Sequence, residues 1–140
     1  MADDDGVNDD GVPEKVAWVL VRDHQVLMTR SHGRDVFYFP GGMREPGESD
    51  RQTLVREIDE ELLTAIDGDT MVHFGTFEIP AGHPERGPFR MICYTADHQG
   101  PLTPSMEIAE KAWFGYADRH RVSYVDSLVL KALHESGLLH

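Results

Sequence analysis

The chain has 140 residues, 13 of them basic and 25 acidic, and a formal net charge of −12. That length holds one domain with a real hydrophobic core. The charge argues against a grip on a nucleic-acid polymer, which needs clustered Lys and Arg. It leaves room for a small phosphorylated ligand, because a metal ion bridges two anions.

The single cysteine, Cys93, excludes an internal disulfide. The acidic N-terminus carries no basic n-region or apolar h-region, and no apolar run approaches the ~18–20 residues that span a bilayer. The expectation is a soluble, cytoplasmic protein without membrane contact.

Residues 1–14 (MADDDGVNDDGVPE) read as an acidic flexible tail ahead of a domain over residues 15–140. Residues 15–22 (KVAWVLVR) are β-branched and aromatic, and Asp23-His24 turns them into a second strand over residues 25–30, a hairpin. A loop over residues 31–35 precedes a short strand, residues 36–39, that ends at Pro40-Gly41-Gly42. A helix then starts at Ser49, which forms a capping box with Gln52, and Asp50 suits the positive end of the helix dipole.

Leu54, Val55, Ile58 and Leu62 make the apolar stripe of that helix, while Glu57, Glu60 and Glu61 crowd onto another side. Like charges at i, i+3 and i+4 cost roughly 0.2–0.5 kcal/mol per pair on an isolated helix, and a divalent cation offsets that repulsion most simply. Asp67-Gly68-Asp69 breaks the pattern. Strands follow over residues 71–79 and 89–96, with a turn-rich loop over residues 80–88 between them. Another loop covers residues 97–104, a strand residues 108–116, and an amphipathic helix residues 127–138. Strands before and after one central helix, with a second helix at the end, predict an α/β (α+β) fold with a mixed sheet between helices.

A glutamate-rich helix face alone reads as solvated surface. The fixed spacing reverses that balance. Gly42 is followed after five residues by Glu48, then after seven by Arg56-Glu57-Ile58-Asp59-Glu60-Glu61. This resembles the signature of the Nudix hydrolase (MutT-like) family, G-x5-E-x7-R-E-U-x-E-E-x-G-U with U aliphatic. The FPGG lead-in, the PGES start of the helix and the late EIAEKAWF segment resemble the family too. Leu63 and Thr64 depart from the closing Gly-aliphatic pair, and the expectation is a helix that runs on and stops near Gly68.

The resemblance implies a Nudix-like α/β/α sandwich and a Mg2+ or Mn2+ cofactor. It places the metal on Glu57, Glu60, Glu61 and the carbonyl of Gly41, with Gly42 and Glu48 supporting the loop–helix–loop. Glu60, Glu61 and Arg56 belong to the implied catalytic set. Glu107 is chosen as a further carboxylate from a distant loop, with Glu85 and Glu110 behind it. Phe39 is the candidate to stack on a base, and Arg30 and Arg34 are the candidates to meet phosphates.

The implied reaction is hydrolysis of a phosphoanhydride bond in a nucleoside di- or triphosphate derivative by metal-activated water, with a nucleoside triphosphate favoured. ADP-ribose or a nucleotide sugar is the alternative, since Pro80 lies 16 residues past Thr64 (80 − 64), as in ADP-ribose-cleaving members. A non-catalytic nucleotide sensor is a further alternative. The expected partner is a small nucleotide, and a homodimer is ordinary in the family. The histidines show no H-x-H or H-E-x-x-H spacing, and no G-x-S-x-G or P-loop pattern occurs.

Overall fold

A computed structural model describes residues 11–84 and 86–140. Nine strands and two α-helices follow in order among these residues. They are β1 (Glu14–Trp18), β2 (Val21–Arg22), β3 (Gln25–Ser31), β4 (Gly41–Gly42), α1 (Asp50–Leu62), β5 (Ala65–Ile66), β6 (Val72–Ile79), β7 (Phe89–Thr95), β8 (His98–Gln99), β9 (Ile108–Phe114) and α2 (Tyr124–Glu135). Short 3-10 turns occupy Gly68–Thr70 and Tyr116–Arg121.

The main sheet is mixed, in the order β4-β1-β7-β6, with β1 and β7 parallel and the other pairs antiparallel. A second sheet runs β2-β3-β9, and β5 pairs with β8. Alternation along β1 explains the layers. Val16 and Trp18 pack with Leu54, Ile58 and Leu62 of α1, while Ala17 packs with Val129, Leu130 and Leu133 of α2. On β3, Leu27 joins the first cluster, and Val26 and Met28 join the second. Sheet strands buried on both faces, with one helix on each, make the expected sandwich.

Several expected boundaries move. The strand over residues 15–22 breaks after Trp18, where Val19 N still bonds Tyr94 O (2.9 Å) but Leu20 O accepts from Leu27 N (3.0 Å). The chain changes sheets there. Asp23 and His24 both take positive φ, 54° and 62°, the geometry of a tight primed hairpin turn. Residues 36–39 make only isolated bridges, Thr29–Tyr38 and Phe37–Val122. The loop over residues 97–104 contains β8, and α2 starts at Tyr124, three residues before the expected 127.

Glu14, placed in the tail by its sequence, is the first residue of β1. It is 6% exposed and pairs with Arg44 at 2.8 Å and Arg90 at 2.6 Å. Residues 1–10 of the expected tail lie outside the described residues. No helix among the described residues is long and apolar enough to cross a membrane.

The expected long exit from the central helix is overturned. α1 stops at Leu62, and Leu63 takes the left-handed conformation (φ 52°, ψ 37°) that the signature reserves for glycine. The next residue explains the stop. Thr64 is buried, its hydroxyl donates to Gln99 O (2.8 Å), and Ala65 and Ile66 pair with Gln99 and His98.

Candidate active site

The site begins where β4 lies against β1. Gly41 has φ 144°, and a Cβ on it would sit 2.0 Å from Val16 O. A Cβ on Gly42 would sit 2.1 Å from a carboxylate oxygen of Glu57. Two glycines are therefore required for the backbone to approach both the strand and the helix side chain. Gly41 N donates to Glu61 Oε1 at 3.2 Å.

The capping box aims the helix. Gln52 N donates to Ser49 Oγ (3.1 Å), and Ser49 N donates to Gln52 Oε1 (2.9 Å). Glu48 and Arg56 brace the loop ahead of it. Arg56 Nε donates to Glu48 Oε2 at 2.7 Å and Nη2 to Oε1 at 2.9 Å, a two-pronged pair. Glu45 N and the Thr53 hydroxyl also donate to Glu48 Oε1, at 2.8 and 2.9 Å. The Arg56 guanidinium pulls the Glu48 carboxyl down to about 2 and is itself raised by that bond. Arg56 also reaches Met43 O at 3.2 Å and Glu57 at 3.2 Å.

Glu57, Glu61 and Glu107 each offer a carboxylate oxygen, and these oxygens lie within 4.8 Å of one another. Glu61 is 4% exposed. Burial pushes its carboxyl up to about 8; Lys15 pulls it back, while Glu57 and Glu107 add to the rise. Burial raises Glu57 as well. Three crowded hard oxygen donors fit a divalent cation such as Mg2+ or Mn2+, which would offset both their mutual repulsion and the cost of burying Glu57 and Glu61. Glu60 stands outside this trio. Its side chain is 42% exposed and faces Arg56 at 3.3 Å.

Glu61 and Glu107 line a cleft of about 390 Å³ together with Lys15, Ser31, Arg34 and Tyr38. A recess of about 200 Å³ continues past Lys15 and Tyr38 to Arg86, Phe89, Ser123 and Asp126. Phe39 is fully buried in the cleft wall, and its N–H donates to Asp126 Oδ1 at 3.0 Å. Arg34 lines the cleft, but Arg30 does not. Thr29 and Ser31 face the cleft, so Arg30 points to the other side of β3, where Nε donates to Glu110 Oε1 at 2.7 Å. Arg30 instead supports its neighbour, with Nη1 donating to Arg34 O at 3.0 Å. Glu110 is thus held away from the trio, and Glu85 lies outside the described residues.

Lys15, Arg86 and Asp126 were not singled out in the sequence. Lys15 Nζ donates to Phe39 O at 2.6 Å and makes no ion pair among the described residues. Asp126, 1% exposed, accepts from Phe39 N and from the Ser123 hydroxyl. Burial raises its carboxyl, and Lys15 counteracts that rise. The alternation of Lys15 with Ala17 was the available signal for Lys15. For Asp126, the signal was the Ser123 start of α2.

An α/β/α sandwich whose first helix carries a glycine-backed carboxylate cluster at G-x5-E-x7-R-E-x2-E-E spacing is the architecture of a NUDIX protein. The NUDIX domain model matches residues 12–127, and the chain belongs to that family. Over 57 residues it is 40% identical to an RNA pyrophosphohydrolase of Proteus mirabilis (strain HI4320), covering 40% of this chain and 32% of that one. The match thus spans about a third of that relative's length. Among solved structures, the E. coli ORF135 protein is 25% identical with a TM-score of 0.69, over 88% of this chain and 91% of that one. The MutT NUDIX hydrolase of Burkholderia pseudomallei shares the fold at a TM-score of 0.70 and 18% identity, over 84% and 95% of the two chains.

Proposed function

We propose that this chain is a pyrophosphohydrolase that cleaves a phosphoanhydride bond in a nucleoside di- or triphosphate derivative, with nucleoside triphosphates as the favoured substrates. The observation that carries the reading is the convergence of Glu57, Glu61 and Glu107 beside a cleft that Glu61 and Glu107 line together with Lys15 and Arg34. Glu57, Glu61 and Glu107, with the Gly41 carbonyl as a further donor, would hold a Mg2+ or Mn2+ ion, which would neutralise phosphate charge and acidify a bound water.

The protein groups around it divide the remaining work. Arg34 and Lys15 donate to phosphate oxygens and offset the negative field of a −12 chain. Glu107 is the exposed member of the trio and its carboxylate makes no hydrogen bond or ion pair among the described residues, so it is available to join Glu57 and Glu61 around the ion. Arg56 and Glu48 keep the glycine loop and helix in register. The recess beyond Tyr38, with the Phe89 ring and the Asp126 carboxyl, suits the nucleoside end.

The identity to proteins named RNA pyrophosphohydrolases favours a second reading, in which the phosphoanhydride sits on an RNA end. The net charge weighs against it. The test is a panel with Mg2+, comparing the unaltered chain with Glu61→Gln. The panel holds nucleoside triphosphates, ADP-ribose, a nucleotide sugar and a short 5′-triphosphorylated RNA. The expected result is turnover of a triphosphate, reduced about 10²-fold or more in Glu61→Gln, the range seen when one charge-stabilising group is lost. Binding without turnover identifies a sensor, and equal turnover in both proteins refutes the site.

A further inference from the structure

The segment between β8 and β9, residues 100–107, straps across the C-terminal end of α1 and delivers Glu107 to the trio. Two of its amides cap the helix. Thr103 N donates to Leu62 O at 2.8 Å, and Ser105 N donates to Glu61 O at 2.9 Å. These carbonyls belong to the last turn, which has no intrahelical donors of its own. Ser105 therefore ties the backbone of one trio member to the segment that carries another, two residues on. At the far end, His32 N donates to Glu107 O at 2.9 Å. The Glu107 carboxylate has no side-chain partner of its own among the described residues, so its position rests on the strap.

The near end of the strap is latched by Thr64, which stands where the signature has an aliphatic residue. Its hydroxyl donates to Gln99 O at 2.8 Å, and Oγ1 lies 2.9 Å from His98 Nδ1. Arg22 Nη2 lies 3.3 Å from His98 Nε2. A guanidinium only donates, so Nε2 accepts and Nδ1 carries the ring proton. One directed chain results, from Arg22 through His98 and the Thr64 hydroxyl to the Gln99 carbonyl. The Trp18 ring packs edge-on against His98, with centroids 5.3 Å apart.

Resting on the metal-dependent reading above, we propose that the strap, latched by the Thr64 hydroxyl, sets Glu107 against Glu57 and Glu61. Thr64 is then a positioning residue for divalent-cation binding. Thr64→Val restores the aliphatic of the signature at nearly the same shape, yet leaves the His98 N–H and the Gln99 carbonyl without their partner.

The experiment is a Mn2+ titration, followed by the electron paramagnetic resonance of free Mn2+, of the unaltered chain, Thr64→Val, Thr64→Ser, Glu107→Gln and the Thr64→Val/Glu107→Gln pair. Thr64→Val is expected to weaken Mn2+ binding ~10-fold, the low end for outer partners of metal ligands, and Thr64→Ser to restore it. In the Glu107→Gln background the valine is expected to add nothing, because the latch acts through Glu107. If Thr64→Val fails to fold, His98→Phe breaks the same chain one link earlier, with the same expected loss. Unchanged Mn2+ affinity in the latch variant, or an equal loss in the Glu107→Gln background, overturns this inference alone. No Mn2+ binding by the unaltered chain overturns it together with the metal-dependent reading.

Discussion

Glu48→Gln tests the brace beneath the site. Glu48 is held by two Arg56 bonds of 2.7 and 2.9 Å, one backbone bond and the Thr53 hydroxyl. These set its carboxyl at about 2 against an ordinary 4.5. That fall corresponds to roughly 3 kcal/mol, and solvent screening at a loop surface reduces it to about 1–2 kcal/mol. Because the folded pKa is depressed, the stabilisation is fully present above about pH 4.5 and is lost as the pH falls through about 2. Glu48→Gln is therefore expected to unfold roughly 3–8 °C lower than the unaltered chain at pH 7. Between pH 4.5 and pH 2.5 the gap should narrow steadily. Thermal unfolding by circular dichroism at pH 7, 4.5, 3 and 2.5 measures the gap. A gap that stays constant down to pH 2.5, or none at pH 7, refutes a charge-based brace and leaves only packing around Glu48.

Leu63→Gly should stabilise the fold by about 0.5–1 kcal/mol. It relieves a left-handed leucine that is 54% exposed and gives up little buried surface, and denaturant midpoints measure the gain. Lys15→Met is expected to raise KM for a triphosphate about 10-fold with a smaller change in kcat, read by steady-state kinetics, since one charge-assisted hydrogen bond to phosphate is worth roughly 1.5–3 kcal/mol. An unchanged KM removes Lys15 from the phosphate path. Cys93 is fully buried, and its thiol is pushed up to about 12, mainly by burial. It should resist a thiol reagent at pH 8 in the folded chain and react only on unfolding in denaturant.

The parts of the site legible in the sequence are those that ride on one local element. Ser49 and Gln52 mark the helix start, and i, i+4 spacing places Glu57 and Glu61 side by side, because both follow from the helical period alone. Leu63 shows where local rules stop. Its lack of glycine predicts a longer helix, but the bonds of Thr64 to β8 and of the strap to the last carbonyls of α1 outweigh the cost of one left-handed leucine. The start of α2 was legible in the sequence at Ser123, which precedes Tyr124, three residues before the expected boundary. Ser123 and Asp126 carry the S-x-x-D spacing of a helix start, but in the structure the Ser123 hydroxyl bonds the Asp126 side chain rather than a helix N–H. Arg30 lies on the far side of β3 from Thr29 and Ser31, whereas Arg34 reaches the cleft from the loop past the end of β3, where strand alternation no longer applies.

Lys15 and Asp126 come from opposite ends of the chain. They share a recess because β1 runs parallel to β7 in the sheet that α2 covers, and no local period encodes that neighbourhood. The same division sets how each part should tolerate change. Glu57 and Glu61 keep their mutual geometry while α1 remains helical. Glu107, Lys15 and Asp126 depend on strand order and on the strap, so distant substitutions that shift the sheet should alter cation and nucleotide binding before they alter the helix.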